Sequence, residues 1–410
     1  MHPAFSGFRR SSAQRNLSTA GDLCQEVPSV DAEDTNALVM EIFSARRDMG
    51  SLAVLDDLRP IGLINRDIFM SQMSKPFHHE LYDKKSCIAF MDKEPLVVDA
   101  NVNIEVLAFR AVEAGEKALV DGFIVTRDGR FLGLGSGLQL VSAVAEMQAE
   151  KNRQLMQSIE YASVIQRAML RTSSETLSTR LRDGAMVWEP RDVVGGDFYH
   201  FAAFPYGWFG AVADCTGHGV PGAFMTLLAS ASLSKALEQI GPRDPAALLA
   251  AVNRNVKGLL GQVNDADEGS QSNDGLDAAF FWFDPRESVL HFAGARVSLH
   301  ILSPDAVQFE TITADRMGVG YVDSGADYAW SLHSIPVTAG SLLFICTDGL
   351  TDQIGGPRSI AFGRRRALDM ILDHRTEPPS TICEHLRLAL AEWQGAQPRR
   401  DDVTLFCARI

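Results

Sequence analysis

Acidic residues in the C-terminal half of the chain stand where short apolar runs begin or end. Asp197 lies in VGGDFYHF, Asp214 in VADCTGHGVPGAF, Asp348 in FICTDGL, and Asp401 and Asp402 in RRDDVTLF. Asp214 and Asp348 close apolar runs and are followed closely by glycine. Asp401 and Asp402 open such a run, and Asp197 sits where a Gly-Gly turn enters one. A carboxylate at the end of a buried strand is held rigidly yet can reach solvent. Four such positions at one rim would repel each other strongly. Hard divalent cations cancel that repulsion, because Mg²⁺ and Mn²⁺ prefer oxygen ligands, keep several waters and need few carboxylates. Two such ions, ~3.5–4 Å apart, can activate a water and clamp a phosphoryl group for in-line displacement. Any one Asp-Gly pair alone reads as turn chemistry. The ordered set of four, with glycine flanks on three, carries the metal reading.

Other residues have a functional and a plainer reading. Gly195, Gly196, Gly217, Gly219 and Gly349 would let backbone approach the ions closely. His218, in TGHGVPG, suits a general acid for a leaving hydroxyl, but also a loop-fixing hydrogen bond, which is preferred. Arg191, in EPRDVVGGD, could hold a phosphate bidentately or form a surface salt bridge. GLGSG at 133–137 lacks the strand–helix context and lysine of a phosphate loop and reads as a turn. His78 and His79 are adjacent, point different ways and read as surface residues. Arg364–Arg366 reads as a solvated helix start.

These residues need elements to position them. GAMVWEP, DFYHFAAF and GWFGAVAD read as strands, followed by helices in GVPGAFMTLLASASLSKALEQI and DPAALLAAVNRNVKGLL. QVNDADEGSQSNDG reads as a polar surface loop. DAAFFWFD, SVLHFAGA and VSLHILS are spaced like an antiparallel meander, SLLFICTD is an apolar strand, and DDVTLFCARI closes the chain. Blocks of strands alternating with helix pairs predict an α+β sandwich rather than a parallel sheet. Upstream, residues 138–172 predict a long helix. One heptad register places Val141, Gln148, Leu155, Ala162 and Met169 in one seam position and Val144, Lys151, Ser158 and Ile165 in the other, an imperfect coiled coil suited to dimerisation. Residues 31–140 twice repeat a strand, a turn, a strand and a helix, which suggests duplication. Residues 1–30, rich in Ser, Arg and Gly, predict a disordered leader.

The ordered motifs VVGGDFYHF, VADCTGHGVPGAFMTLL, DGLDAAFFWFD, HFAGA, FICTDGLTD and RDDVTLF resemble the SpoIIE branch of the PPM metal-dependent protein phosphatases over about residues 180–410. The resemblance implies an α-β-β-α sandwich of two antiparallel sheets flanked by helices, within a domain at 176–410. It also implies hydrolysis of phosphoserine or phosphothreonine on a protein, with two Mn²⁺ or Mg²⁺ ions. By position, Asp214 matches the carboxylate shared by both metals and the Cys215 carbonyl the adjacent ligand. Asp197 matches a ligand reaching one metal partly through water, and Asp348 and Asp401 the remaining ligands. Asp402 is a neighbour that substitutes for Asp401 or supports it. Asp277 recurs in the family pattern and shapes the site. His200 stands where an aspartate is common, and Cys215-Thr216 replaces the commoner Val-Ser. Residues 31–140 resemble a pair of CBS modules, which implies a regulatory module that often binds adenine nucleotides, joined to the catalytic domain by a linker helix at 141–175. By family analogy the substrate is a STAS-type anti-sigma-factor antagonist; the long linker helix suggests a homodimer in which the N-terminal module controls the catalytic domain.

Composition bounds these readings. The chain has 410 residues, a formal net charge of -14, 46% hydrophobic and 22% charged residues. The acidic balance argues against a nucleic-acid or membrane-surface partner. Six scattered cysteines form no C-x-x-C pair, which fits reduced thiols in a cytoplasmic protein. The N-terminus lacks the apolar region of a secretory signal, and no run reaches membrane-span length. A rival reading is a catalytically silent phosphatase-like scaffold regulated by nucleotide. Loss of a ligand carboxylate would favour it, and the expected carboxylates are all present.

Overall fold

The computed structural model describes residues 17–181, 183–262 and 273–410, in two compact units, Met1–Gln154 and Leu155–Ile410.

The N-terminal unit repeats one motif. Strand Ser29–Asp31, helix Asn36–Ala45, strands Ser51–Asp56 and Arg59–Asn65 and helix Arg66–Met73 make the first copy. Strand Val97–Asp99, helices Ile104–Glu113 and Glu116–Val120, strands Phe123–Arg127 and Arg130–Gly135 and the start of helix Gly137–Arg180 make the second. In each copy the first strand pairs parallel to the second, which pairs antiparallel to the third. Both hairpins shift register at the same relative place, between Val54 and Leu55 and between Val125 and Thr126. Ala53, Leu55, Leu63 and Ile124 pack together between the copies.

Order begins earlier than composition predicts. Residues 20–23 form a 3₁₀ turn, with the Asp22 carboxylate accepting the backbone N–H groups of Ser18 and Thr19 at 2.9 Å each. Leu23 and Val30 are buried, so these apolar residues anchor a stretch that is polar on average. The rest of the expected leader lies outside the described residues, as does most of the expected polar loop in QVNDADEGSQSNDG. The glycines of GLGSG serve packing. A Cβ on Gly133 would lie 2.1 Å from the Gln25 carbonyl oxygen, and one on Gly137 would lie 2.1 Å from that of Leu119.

In the C-terminal unit the strands of the two large sheets are β1 Gly184–Glu189, β2 Asp197–Phe204, β3 Gly207–Cys215, β4 Leu276–Asp284, β5 Val289–Ala295, β6 Leu299–Leu302, β7 Glu310–Ile312, β8 His333–Pro336, β9 Leu342–Cys346 and β10 Val403–Arg409. The main helices are α1 Gly219–Ile240, α2 Pro245–Leu260, α3 Arg364–Asp373 and α4 Pro379–Gln394. One antiparallel sheet has the order β8-β5-β4-β3-β2 and the other β7-β6-β9-β10-β1. Period-two alternation makes each strand two-faced. On β10, Phe406 and Ala408 enter the core between the sheets, while Val403, Leu405 and Cys407 face α3 and α4. Phe406 meets Phe201 and Phe281 of the opposite sheet with ring centroids 5.2 and 5.3 Å apart. The helices α1 and α2 cover the other sheet, completing the expected α-β-β-α sandwich. Helix α1 is long and apolar enough to cross a membrane by composition, but Met225, Ala229, Leu233 and Ala236 are buried in this core.

Helix Gly137–Arg180 extends beyond the expected 141–175. Leu140 and Ala143 pack in the N-terminal unit, whereas Leu170 and Leu177 join the core of the C-terminal unit. Of the heptad seam, Val141, Leu155 and Ile165 remain exposed, and Lys151 pairs with Glu105.

Candidate active site

Strand register builds the site. Asp214, at the end of β3, lies opposite Asp197 of β2 on one side and Asp277 of β4 on the other. Three aspartates therefore run across one edge of the first sheet. The second sheet supplies the rest. Asp348 opens a helical turn, Asp348–Thr351, just after β9, and Asp401 and Asp402 precede β10, its hydrogen-bonded neighbour. Glycine makes this approach possible, since a Cβ on Gly349 would lie 1.8 Å from the Asp402 carbonyl oxygen. Likewise, a Cβ on Gly196 would lie 2.3 Å from the Gly217 carbonyl oxygen and 2.8 Å from that of Cys215.

The carboxylates share a poorly solvated space. Burial pushes the Asp197 carboxyl up to about 8, helped by repulsion from Asp402 and Asp401 and opposed by hydrogen bonds from Thr404 and Thr347. Those hydroxyls donate to Oδ2 at 2.7 and 2.8 Å, while Oδ1 is buried without a hydrogen-bond partner. Burial raises Asp214 well above its ordinary value, with added repulsion from Asp197, Asp348, Asp401 and Asp277. Asp348 is pushed up to about 6 by burial and then by Asp401. An all-oxygen donor set with mutual repulsion and an orphaned buried oxygen fits hard divalent cations.

Asp402 has a different place from that of a ligand. Its two oxygens accept the backbone N–H groups of Arg191 at 2.6 Å and Gly196 at 2.5 Å, so it clamps the loop that leads into Asp197. The Arg191 guanidinium donates to the Arg400 carbonyl at 3.0 Å. His218 precedes α1, with its Nδ1 2.8 Å from Asp192 Oδ2, an exposed contact that fixes the loop. His200 is half-buried, and that burial lowers its imidazole pKa from the ordinary histidine value. Strand alternation turns it to the face opposite Asp197.

Four residues that the sequence reading did not place there join the site. Asp214, Asp277 and Asp348 line a cleft of about 90 Å³ together with Arg296, His300 and Arg364. The Arg296 guanidinium lies 3.3 Å from Asp277 Oδ1 and over the Tyr321 ring at 4.8 Å. Of the basic run, only Arg364 lines this cleft, because Arg365 is exposed and Arg366 stacks on Trp393 at 3.7 Å. The fourth residue is Gln166, on helix Gly137–Arg180. Its buried amide donates to the Gly195 carbonyl at 2.7 Å and to Thr226 Oγ1 at 3.2 Å, and accepts the Gly195 N–H at 3.2 Å. No local motif marks a glutamine in a polar helix for this contact.

Residues 206–410 match the family model described as Stage II sporulation protein E (SpoIIE). The SiaA-PP2C domain of Pseudomonas aeruginosa is 36% identical, over 64% of this chain and 99% of that one, with a TM-score of 0.57. The PP2C phosphatase domain with a regulatory fragment of SpoIIE from Bacillus subtilis is 17% identical, over 56% of this chain and 63% of that one, at 0.45. The RsbU and RsbW domains of a Mycobacterium tuberculosis protein are 20% identical, over 55% and 59%, at 0.44. No curated protein matches the chain. With its carboxylates gathered at the sheet ends and this match across its C-terminal half, the chain belongs to the SpoIIE family of metal-dependent PPM protein serine/threonine phosphatases.

Proposed function

We propose that this phosphatase removes phosphate from serine or threonine of a regulatory protein, of the STAS-type anti-sigma-factor-antagonist class, under control of its N-terminal module. The observation that carries the hydrolytic reading is the convergence of Asp197, Asp214, Asp277, Asp348 and Asp401 around one edge, with Asp197 Oδ1 buried and unpartnered. Asp197, Asp214, Asp348 and Asp401, with the Cys215 carbonyl, would hold two Mn²⁺ or Mg²⁺ ions. Bound there, the ions supply a water nucleophile at neutral pH and neutralise charge on the phosphoryl oxygens. The chain's own residues do the rest. Asp402 fixes the Gly195–Gly196 turn, so that Asp197 is aimed before substrate arrives. Arg296 and Arg364 place positive charge in the cleft, where a phosphoryl group would enter. Asp277 holds Arg296 in that position.

Family membership supports the phosphoprotein class, and the duplicated N-terminal motif supports a CBS-like sensor for an adenine nucleotide. The long helix with exposed Leu155 and Ile165 supports a homodimer. The chemistry and acidic charge suit the cytoplasm.

Hydrolysis of p-nitrophenyl phosphate, with and without Mn²⁺ or Mg²⁺, tests the reaction. Wild type is expected to turn over only with metal, and Asp348→Ala to lose at least about a hundredfold, in line with removal of a group that stabilises transition-state charge. Metal-independent turnover retained by Asp348→Ala would overturn the mechanism.

A further inference from the structure

A second group of metal-type ligands lies on the outer helical layer of the catalytic unit, away from the carboxylate rim. His374 follows α3, Glu377 lies in the connection, and His385 is on α4. One donor atom from each lies within 4.8 Å of the other two. His374 Nδ1 is 2.9 Å from Glu377 Oε1, and His385 Nδ1 is 3.6 Å from Glu377 Oε2. The imidazole ring centroids lie 4.1 Å apart, with the ring planes tilted by 55°. His385 Nδ1 is buried and makes no hydrogen bond, so a donor nitrogen is turned inward toward the carboxylate without a proton partner.

The backbone around this group is braced. The Arg409 guanidinium donates to the carbonyls of Arg375 and Glu377, at 2.9 Å each, and is held by Asp183 at 3.1 Å. Arg409 ends β10, whose other end follows Asp401 and Asp402. A seven-residue strand spans roughly 20 Å, so the cluster and the catalytic rim sit at opposite ends of β10.

We propose that His374, Glu377 and His385 form a zinc-class metal site that ties α3 to α4. Two imidazoles and one carboxylate are a borderline-soft donor set that suits Zn²⁺ or Co²⁺, unlike the all-oxygen rim. Zinc-bound nitrogen and oxygen ligands lie about 2.0–2.2 Å from the ion, so donors within 4.8 Å need only a small closing motion. Three protein ligands leave a fourth position for water. Its ligands come from the residue that caps α3, the connection and α4, so a bound ion would brace this corner of the helical layer.

The test is titration of the full chain with Zn²⁺ and Co²⁺ in excess Mg²⁺, which occupies the carboxylate rim. Wild type is expected to bind one more equivalent than His385→Gln or His374→Asn, to show the visible absorption of four-coordinate cobalt, and to melt higher with zinc. Asp348→Ala is expected to keep that equivalent, separating this site from the catalytic one. Equal zinc binding by wild type and both histidine variants would overturn the proposal and leave a metal-free His–Glu–His cluster only. If His385→Gln fails to fold, Glu377→Gln carries the same comparison.

Discussion

At the scale of single residues, the site concentrates like charge in a buried space, and pH should expose the cost. Asp197 and Asp348 have folded-state values of about 8 and 6, above the ordinary aspartate value of 3.8. Between those limits the metal-free folded protein holds protons that the unfolded chain has released. Stability therefore falls as pH rises through that window. The melting temperature of metal-free protein is expected to decline from near pH 4 to about pH 8, and Mn²⁺ should remove the decline. A flat profile without metal would show that the carboxylates are not forced together. The strand-end aspartates were legible because apolar runs and glycines bracket them locally. Arg296, Arg364 and Gln166 were not, since their roles come from partners far away in the chain. Asp402 beside Asp401 was ambiguous for a related reason. Only the fold shows which of two adjacent acids is taken by backbone amides.

At the scale of elements, helix Gly137–Arg180 reaches the metal loop through one amide. Replacing Gln166 by Ala leaves the buried Gly195 N–H without its partner, at a cost of about 1–3 kcal/mol. The loop holding Asp197 should then loosen, and apparent Mn²⁺ affinity in a metal titration should weaken by roughly tenfold, with the carboxylates all present. Unchanged metal affinity would make the helix a passive support. Alternating burial along β9 and β10 made these strands easy to read, because both faces are covered by different layers. The ordered segment after residue 16 was harder to read. There a Thr-x-x-Asp turn and two buried apolar residues outweigh polar composition.

At the scale of the whole molecule, the two-sheet architecture was legible as a class, but not the strand order that brings β1 beside β10. The proposed control by the N-terminal module can be tested at Leu155, an exposed seam residue of the long helix. Glycine there costs roughly 1 kcal/mol of helix stability and removes an exposed apolar side chain from the proposed seam. Leu155→Gly is expected to alter both the activity and the oligomeric state, read by turnover and by light scattering. If neither changes, the helix does not carry the signal.

The pairing of β10 with β1 and β9 also bears on the order of assembly. Val403 lies opposite Glu189, and Cys346 opposite Leu405, so β10 joins segments distant in sequence. Such non-local pairing is slow to form. Asp197 and Asp214 can meet early, across the local β2–β3 hairpin, whereas Asp401 arrives only when β10 has inserted between its neighbours. The full carboxylate rim, and hydrolytic competence with it, therefore depends on long-range pairing and not on the local hairpin alone.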